Sequence, residues 1–284
     1  MNPYVVDGEE PALRSSVFCF LDALGYSEFS RAVPDADLVA QFQNYHAALT
    51  RGSRLLNAPE RQEWLLPRRG VTDAAVSAFT DNICIGFPIH FREDGEIEFG
   101  EMLRRIGAYQ LEMTTSGYFV RGGVATGNLY MDDLAVFGAP LIEAHEAESQ
   151  RAGAPRIIIA QTARELALEH LRYYGNGEHA PLTSDLKCDA DGEWFVDYLE
   201  GLLIEPEHGV IGRNELNRHK AVVEAKLAQF AEAPRILAKY QWVAGYHNWF
   251  CDKYQHLYGE GPRIAGYAPR QGITTIVDGL PQPR

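Results

Sequence analysis

Cysteine is scarce and scattered in this chain of 284 residues. Cys19, Cys84, Cys188 and Cys251 form no paired spacing, which excludes a disulfide framework and a zinc signature and predicts a reducing compartment. No window approaches the ~18 apolar residues of a membrane span. The opening residues carry neither a basic flank nor an apolar stretch of signal-peptide length. Positive charge is in deficit: 26 Lys and Arg against 39 Asp and Glu leave a formal charge of −13. That balance argues against nucleic acid or an anionic membrane as the main partner, but it does not exclude a nucleotide, because bound metal ions reverse the local field. GxGxxG and GxxxxGK[ST] loops, HExxH pairs and a positional signal for Ser-His-Asp chemistry are all missing. With 46% hydrophobic residues, the expectation is a cytoplasmic protein with one large core and a helical appendage.

What is present is a pair of aspartates, each on an apolar strand-like run and each followed by a turn. Asp22 stands in Val17-Phe18-Cys19-Phe20-Leu21-Asp22-Ala23-Leu24-Gly25, and Asp81 in Val76-Ser77-Ala78-Phe79-Thr80-Asp81-Asn82-Ile83. A carboxylate at the end of a buried strand is costly unless its charge is compensated. Hard divalent cations do this well, because they accept carboxylate and phosphate oxygens together. Two strands delivering one aspartate each to the same edge would make a two-metal site for phosphate chemistry. Taken singly, each is also readable as a turn or cap residue.

Along the chain, residues 16–22 read as a strand covered on both faces, and about 36–56 as a helix. Residues 57–72 read as a loop, and 73–79 with 83–88 as a hairpin. Glu93 to Glu96 reads as an exposed turn, 99–115 as a helix and 118–130 as a strand interrupted by glycines. Gly138-Ala139-Pro140 opens a further helix. A strand at 156–160, a helix at 161–171 and a strand at 194–199 come next. From about 211 the chain reads as helical, divided at Pro234. The order βαββαβ and then αβαβ predicts an α+β fold, a mixed sheet with helices on its faces. His145 with Glu143, Glu146 and Glu148 reads as a solvated helix face. The aromatic run from Tyr240 to Phe250 reads as packing against the core or a second subunit.

Four segments, in order, resemble the class III nucleotidyl cyclases. Asp22-Ala23-Leu24-Gly25-Tyr26-Ser27 is similar to that family's Asp-Ile-x-Gly-Phe-Thr, and Phe79-Thr80-Asp81-Asn82-Ile83 to its Ile-Gly-Asp hairpin. Val120-Arg121-Gly122-Gly123-Val124-Ala125-Thr126-Gly127 is similar to Val-Arg-x-Gly-Ile-x-x-Gly. Val136-Phe137-Gly138-Ala139-Pro140-Leu141 stands where the family has Val-Trp-Gly-Asp-Thr-Val, running on to Glu148-Ser149. Within that group the likeness is strongest to the bacterial cyclic-pyrimidine synthases of the Pycsar antiphage system. The resemblance implies a ferredoxin-like or palm core with a helical C-terminal extension. Its divisions would be a lead-in (1–15), a cyclase domain (16–208), the extension (209–260) and a tail (261–284).

It also implies two divalent cations, Mg²⁺ or Mn²⁺, on Asp22, the Ala23 backbone carbonyl and Asp81. Phosphate would be cradled by Leu24, Gly25, Tyr26 and Ser27, with Arg121 a further candidate. The implied reaction is UTP, or CTP, to the 3′,5′-cyclic monophosphate. A head-to-tail homodimer and an effector protein that binds the product are implied as partners.

Two departures qualify the likeness. Purine cyclases carry a lysine and an aspartate that read the base, where this chain has Ser77 and Ala135; with Phe79 and Phe137 these make a candidate base pocket of a different code. The asparagine and arginine that serve the transition state are replaced by Ile142 and Glu146. Lys187, Arg104 and Arg105 are substitute cations without positional support. The rival reading is a non-catalytic nucleotide-binding module that kept the fold. A diguanylate synthase is a third, but its Gly-Gly-Asp/Glu-Glu-Phe signature is missing.

Overall fold

β1 (Arg14–Ala23) runs through the middle of the sheet, hydrogen-bonded to neighbours on both sides. In the computed structural model, residues 2–6, 8–25, 35–57, 74–89, 94–174, 179–203, 209–259 and 261–277 are described. The expected loop at 57–72 lies almost wholly outside them, as do Tyr26 and Ser27. After β1 come α1 (Asp35–Asn57), the hairpin of β2 (Ala75–Phe79) and β3 (Asn82–Pro88), and α2 (Glu96–Thr115). Next are β4 (Val120–Met131), β5 (Val136–Gly138) and α3 (Ala139–Glu146). The sheet order is β2-β3-β1-β4, then β6 (Ile157–Ile159), β8 (Trp194–Val196), β7 (Leu186–Cys188) and β9 (Thr274–Thr275), with β5 on β4. β1 is antiparallel to β3 and β4, and β4 is parallel to β6. The expected mixed α+β architecture is the one found.

Strand alternation sorts the core into two layers. Val17, Cys19, Leu21, Ile83, Ile85, Val124 and Ile157 face α1, α2 and α4 (Gln161–Arg172). Phe18, Ala125, Leu129, Ile158 and Phe195 face the other way, against α3, α6 (Gly209–Gln229) and α7 (Pro234–Lys253); the short α5 (Leu182–Asp185) lies between β6 and β7 in sequence. Each large apolar side chain so buried stabilises the fold by about 1.5–3 kcal/mol. Both faces of β1 are therefore covered, which explains its near-continuous apolar sequence.

The Tyr240–Phe250 run packs on its own sheet. Trp242 and Tyr246 lie edge-on to Phe195, and Tyr240 meets Phe119 at 5.0 Å in a T-shaped contact. No described helix is long and apolar enough to cross a membrane.

Several expectations need correction. The glycines of 120–131 do not interrupt the strand; they permit close packing. A Cβ on Gly123 would stand 2.2 Å from the Ala144 carbonyl oxygen, so only glycine lets α3 lie this near β4. The strand expected over 194–199 ends at Val196, and the chain turns into a 3-10 segment (Tyr198–Leu203). There Asp197 turns inward to receive the Tyr246 hydroxyl and the Lys187 ammonium. The turn before α2 is not wholly exposed: the Tyr174 hydroxyl donates to Glu96, and His170 Nε2 meets the Asp94 carbonyl. Residues 261–277 of the C-terminal tail are held to the rest of the chain. β9 pairs with β7, and Asn248 holds Ile264 and Tyr267 through their backbones.

Candidate active site

Antiparallel register places Asp22 opposite Asn82 on β3 and opposite Arg121 on β4. Asp81 occupies the β2–β3 turn, and its carbonyl accepts the Ala23 N–H at 3.0 Å. The two aspartates, 59 positions apart in sequence, thus meet at one end of the sheet. Thr80, a β-branched residue, holds φ at +58° in that turn, and its hydroxyl donates to Asp81 Oδ1 at 2.7 Å. Such conformations cost of order 1–3 kcal/mol and concentrate at functional sites. Beyond Asp22, the Leu24 N–H donates to the Phe119 carbonyl at 2.8 Å, and Gly25 takes φ +81°, a turn that favours glycine.

One guanidinium serves two carboxylates here. Arg121 Nη2 lies 3.2 Å from Asp22 Oδ2 and 2.5 Å from Glu148 Oε1, while its buried Nε has no hydrogen-bond partner. Burial pushes the Glu148 carboxyl up to about 7; Arg121 opposes the shift and Asp22 adds to it. The expected solvated face of α3 is therefore wrong at Glu148, which is 3% exposed. The cause is local: after Glu146 the helix passes into a π-helical turn (Ala147–Arg151) that takes an extra residue per turn and swings Glu148 inward. A count at 3.6 residues per turn misses this. The only sequence signal was the Glu148-Ser149 pair itself. Glu143 also has fixed partners, the Thr162 N–H and hydroxyl, whereas His145 and Glu146 are exposed.

The substitute cations do not reach this site. Arg104 and Arg105 bind Glu101 on α2, across the sheet, and Lys187 is buried against Asp197 and the Thr183 and Ser184 carbonyls. The four base-pocket candidates are dispersed in one chain. Ser77 is half-buried on β2 and Phe79 is 77% exposed beside the Asp81 turn. Phe137 lies on β5 opposite Tyr130, and Ala135 just past the far end of β4, about 30 Å along the strand from Arg121 at the usual rise per residue. A single chain does not gather them around Asp22 and Asp81.

Among the described residues no group of three or more His, Cys, Asp and Glu stands ready to hold a metal ion. The donor set at the sheet end nevertheless suits a hard cation that completes its shell with phosphate oxygens, since Mg²⁺ commonly takes only one or two carboxylates from protein.

No family model matches the chain, and no curated protein does. Among solved structures it is similar to the crystal structure of the adenylyl cyclase CyaB from P. aeruginosa, at 15% identity and a TM-score of 0.42, over 55% of this chain and 82% of that one.

Proposed function

We propose that this chain is a metal-dependent pyrimidine nucleotide cyclase that converts UTP to 3′,5′-cyclic UMP and pyrophosphate, with CTP the alternative substrate. The observation that carries the reading is the meeting of Asp22 and Asp81 at one sheet end, beside Arg121 and Glu148. Asp22, the Ala23 carbonyl and Asp81 would hold two divalent cations, Mg²⁺ or Mn²⁺, which when bound lower the pKa of the ribose 3′-hydroxyl and neutralise phosphate charge. The 3′-oxygen attacks the α-phosphorus in line, its proton passing to water. As that O–P bond forms, the bond from the α-phosphorus to the bridging oxygen breaks and its electron pair leaves with pyrophosphate. Proximity supplies much of the rate, because the nucleophile already sits on the substrate. Arg121 ties Asp22 to Glu148 and so holds the Asp22 carboxylate in place. The Leu24–Gly25 turn, with Tyr26 and Ser27 next in sequence, would cradle phosphate oxygens.

Pyrimidine choice rests on Ser77 and Ala135, which lack the charged groups of a purine reader. Because one chain leaves these residues dispersed, the pocket would need a second copy. Leu134, Phe137 and Ile142, exposed by 94%, 67% and 61%, offer an apolar surface for it. Loss of specific activity on dilution tests this dimer; constant activity from a monomer overturns it. The family resemblance supports an antiphage role, with an effector protein that binds the cyclic product.

Incubation with each of the four NTPs and Mn²⁺ or Mg²⁺, with products identified by mass spectrometry, tests the reading. Cyclic UMP or cyclic CMP is expected. Nucleotide bound but unturned would instead favour the non-catalytic module, for which exposed Ile142 and Glu146 are the specific sign.

A further inference from the structure

The wall of a cavity of about 630 Å³, in the size range of small-molecule sites, begins at Arg121. Arg156, Arg235, Lys239, Trp242 and Arg270 continue it, and Asp191 is its one acidic lining residue. In a chain with 13 more acids than bases, this concentration of cations runs against the bulk composition.

The cations divide into two kinds. Arg156 and Arg270 form the floor: both bind Asp189, and their guanidinium carbons stand 5.6 and 5.5 Å from the Trp242 ring. Arg235 and Lys239 form one side. With Ala238 and Trp242 they occupy positions i, i+4, i+3 and i+7 of α7, a single stripe facing the cavity. Arg235 is exposed, and Lys239 is close enough for its charge to act on the Glu148 carboxyl. The next residue, Tyr240, packs on Phe119, whose carbonyl also receives the Leu24 N–H. One residue of β4's approach thereby anchors both the stripe and the turn after Asp22.

We propose that this cavity is a polyphosphate subsite, in which Arg235 and Lys239 of the C-terminal extension join Arg121 in holding the β- and γ-phosphates of the substrate and the departing pyrophosphate. The proposal rests on the cyclase reading and supplies what α3 lacks at Ile142 and Glu146. When the α–β bridging bond breaks, negative charge grows on the pyrophosphate oxygens, and a fixed cation there acts where transition-state charge develops. Charge-assisted bonds of this kind are about twice as strong as neutral ones.

The test uses the full chain with Arg235→Gln, Lys239→Gln, the double variant and the charge-keeping Lys239→Arg. Tripolyphosphate and pyrophosphate binding is measured by calorimetry, and kcat and KM are measured with the active nucleotide. Each neutralising change should weaken polyphosphate binding by about tenfold or more. The double variant should lose roughly 10²–10³ in kcat. Lys239→Arg should restore most of both, and Tm should hold in Arg235→Gln because that side chain is exposed. Full polyphosphate affinity and full kcat in the double variant would overturn the subsite even in an active cyclase. Absence of polyphosphate binding by the wild type would do the same. Polyphosphate binding that the double variant loses, in a protein that cyclises no nucleotide, would uphold the subsite and overturn the cyclase reading instead.

Discussion

Two clusters of charge on this molecule differ in how they are balanced. At Asp189, Oδ1 accepts from the Arg270 side chain and the Ala190 N–H, and Oδ2 accepts from Arg156 and Trp242. Every acceptor site has a donor, and the network closes on itself. At Asp22 the count is lopsided. One guanidinium faces Asp22 and Glu148, Arg121 Nε is left over, and Asp81 stands alongside with only Thr80 and Asn82 as side-chain donors among the described residues. A closed network holds the fold together. An open one, with surplus carboxylate at a sheet end, is suited to receive a cation and the phosphates that accompany it.

The largest effect should come from the open cluster. Asp22→Ala and Asp81→Ala should each lower cyclase turnover by more than about 10³-fold, while Tm without metal holds or rises because surplus negative charge is removed. Turnover assays paired with thermal melts check this; full activity in either variant breaks the comparison. Asp189→Asn should do the opposite. It leaves Arg156 and Arg270 short of their counter-charge and should cost about 3–5 kcal/mol, read from urea midpoints. A loss below ~1 kcal/mol would mean that the network is not the structural element its bonding suggests.

The third test concerns a neutral counterpart, the stacked pair His219 and His247. The Pro262 carbonyl can only accept, so His247 carries its proton on Nε2 and receives at Nδ1 from His219 Nδ1–H; Tyr198 then donates to His219 Nε2. Burial holds both imidazoles below their ordinary range, His247 at about 4, with each helped by a neighbour, His247 acting on His219 and Lys220 on His247. The unfolded chain takes up these protons first. The pair's contribution to stability is therefore complete above about pH 6.5 and falls as pH drops towards 4, by about 1.4 kcal/mol per pH unit for each imidazole kept neutral. Denaturation series at pH 7, 6 and 5 should show a shallower slope in His247→Gln than in the wild type, and equal slopes would refute the proton-ordered pair. The smallest effect should be at Thr80: Thr80→Gly relieves the positive φ and should raise stability by about 1 kcal/mol in melting experiments. Unchanged Tm would place the strain elsewhere.

Much of the frame was legible in the residues. The aspartates followed apolar runs of strand length, Pro140 and Pro234 marked helix starts, and the alternation of elements implied a mixed sheet. These are local properties, set by propensity and periodicity over a few residues. Ser77, Ala135, Ile142 and Glu146 could likewise be read as departures from a motif without knowing where they lie.

What the tertiary structure alone decided was which distant residues share a neighbourhood. The β1–β4 register brings Arg121 to Asp22 across 99 positions. The π-helical turn rotates Glu148 into the core, against the α-helical count. Burial of the aromatic face of α7 carries Arg235 and Lys239 to Arg121's side, and the length of β4 keeps Ala135 and Phe137 at the opposite end from the aspartates. Local sequence sets the period of each element, whereas register, helix rotation and docking depend on packing summed over the whole core, which no short window contains.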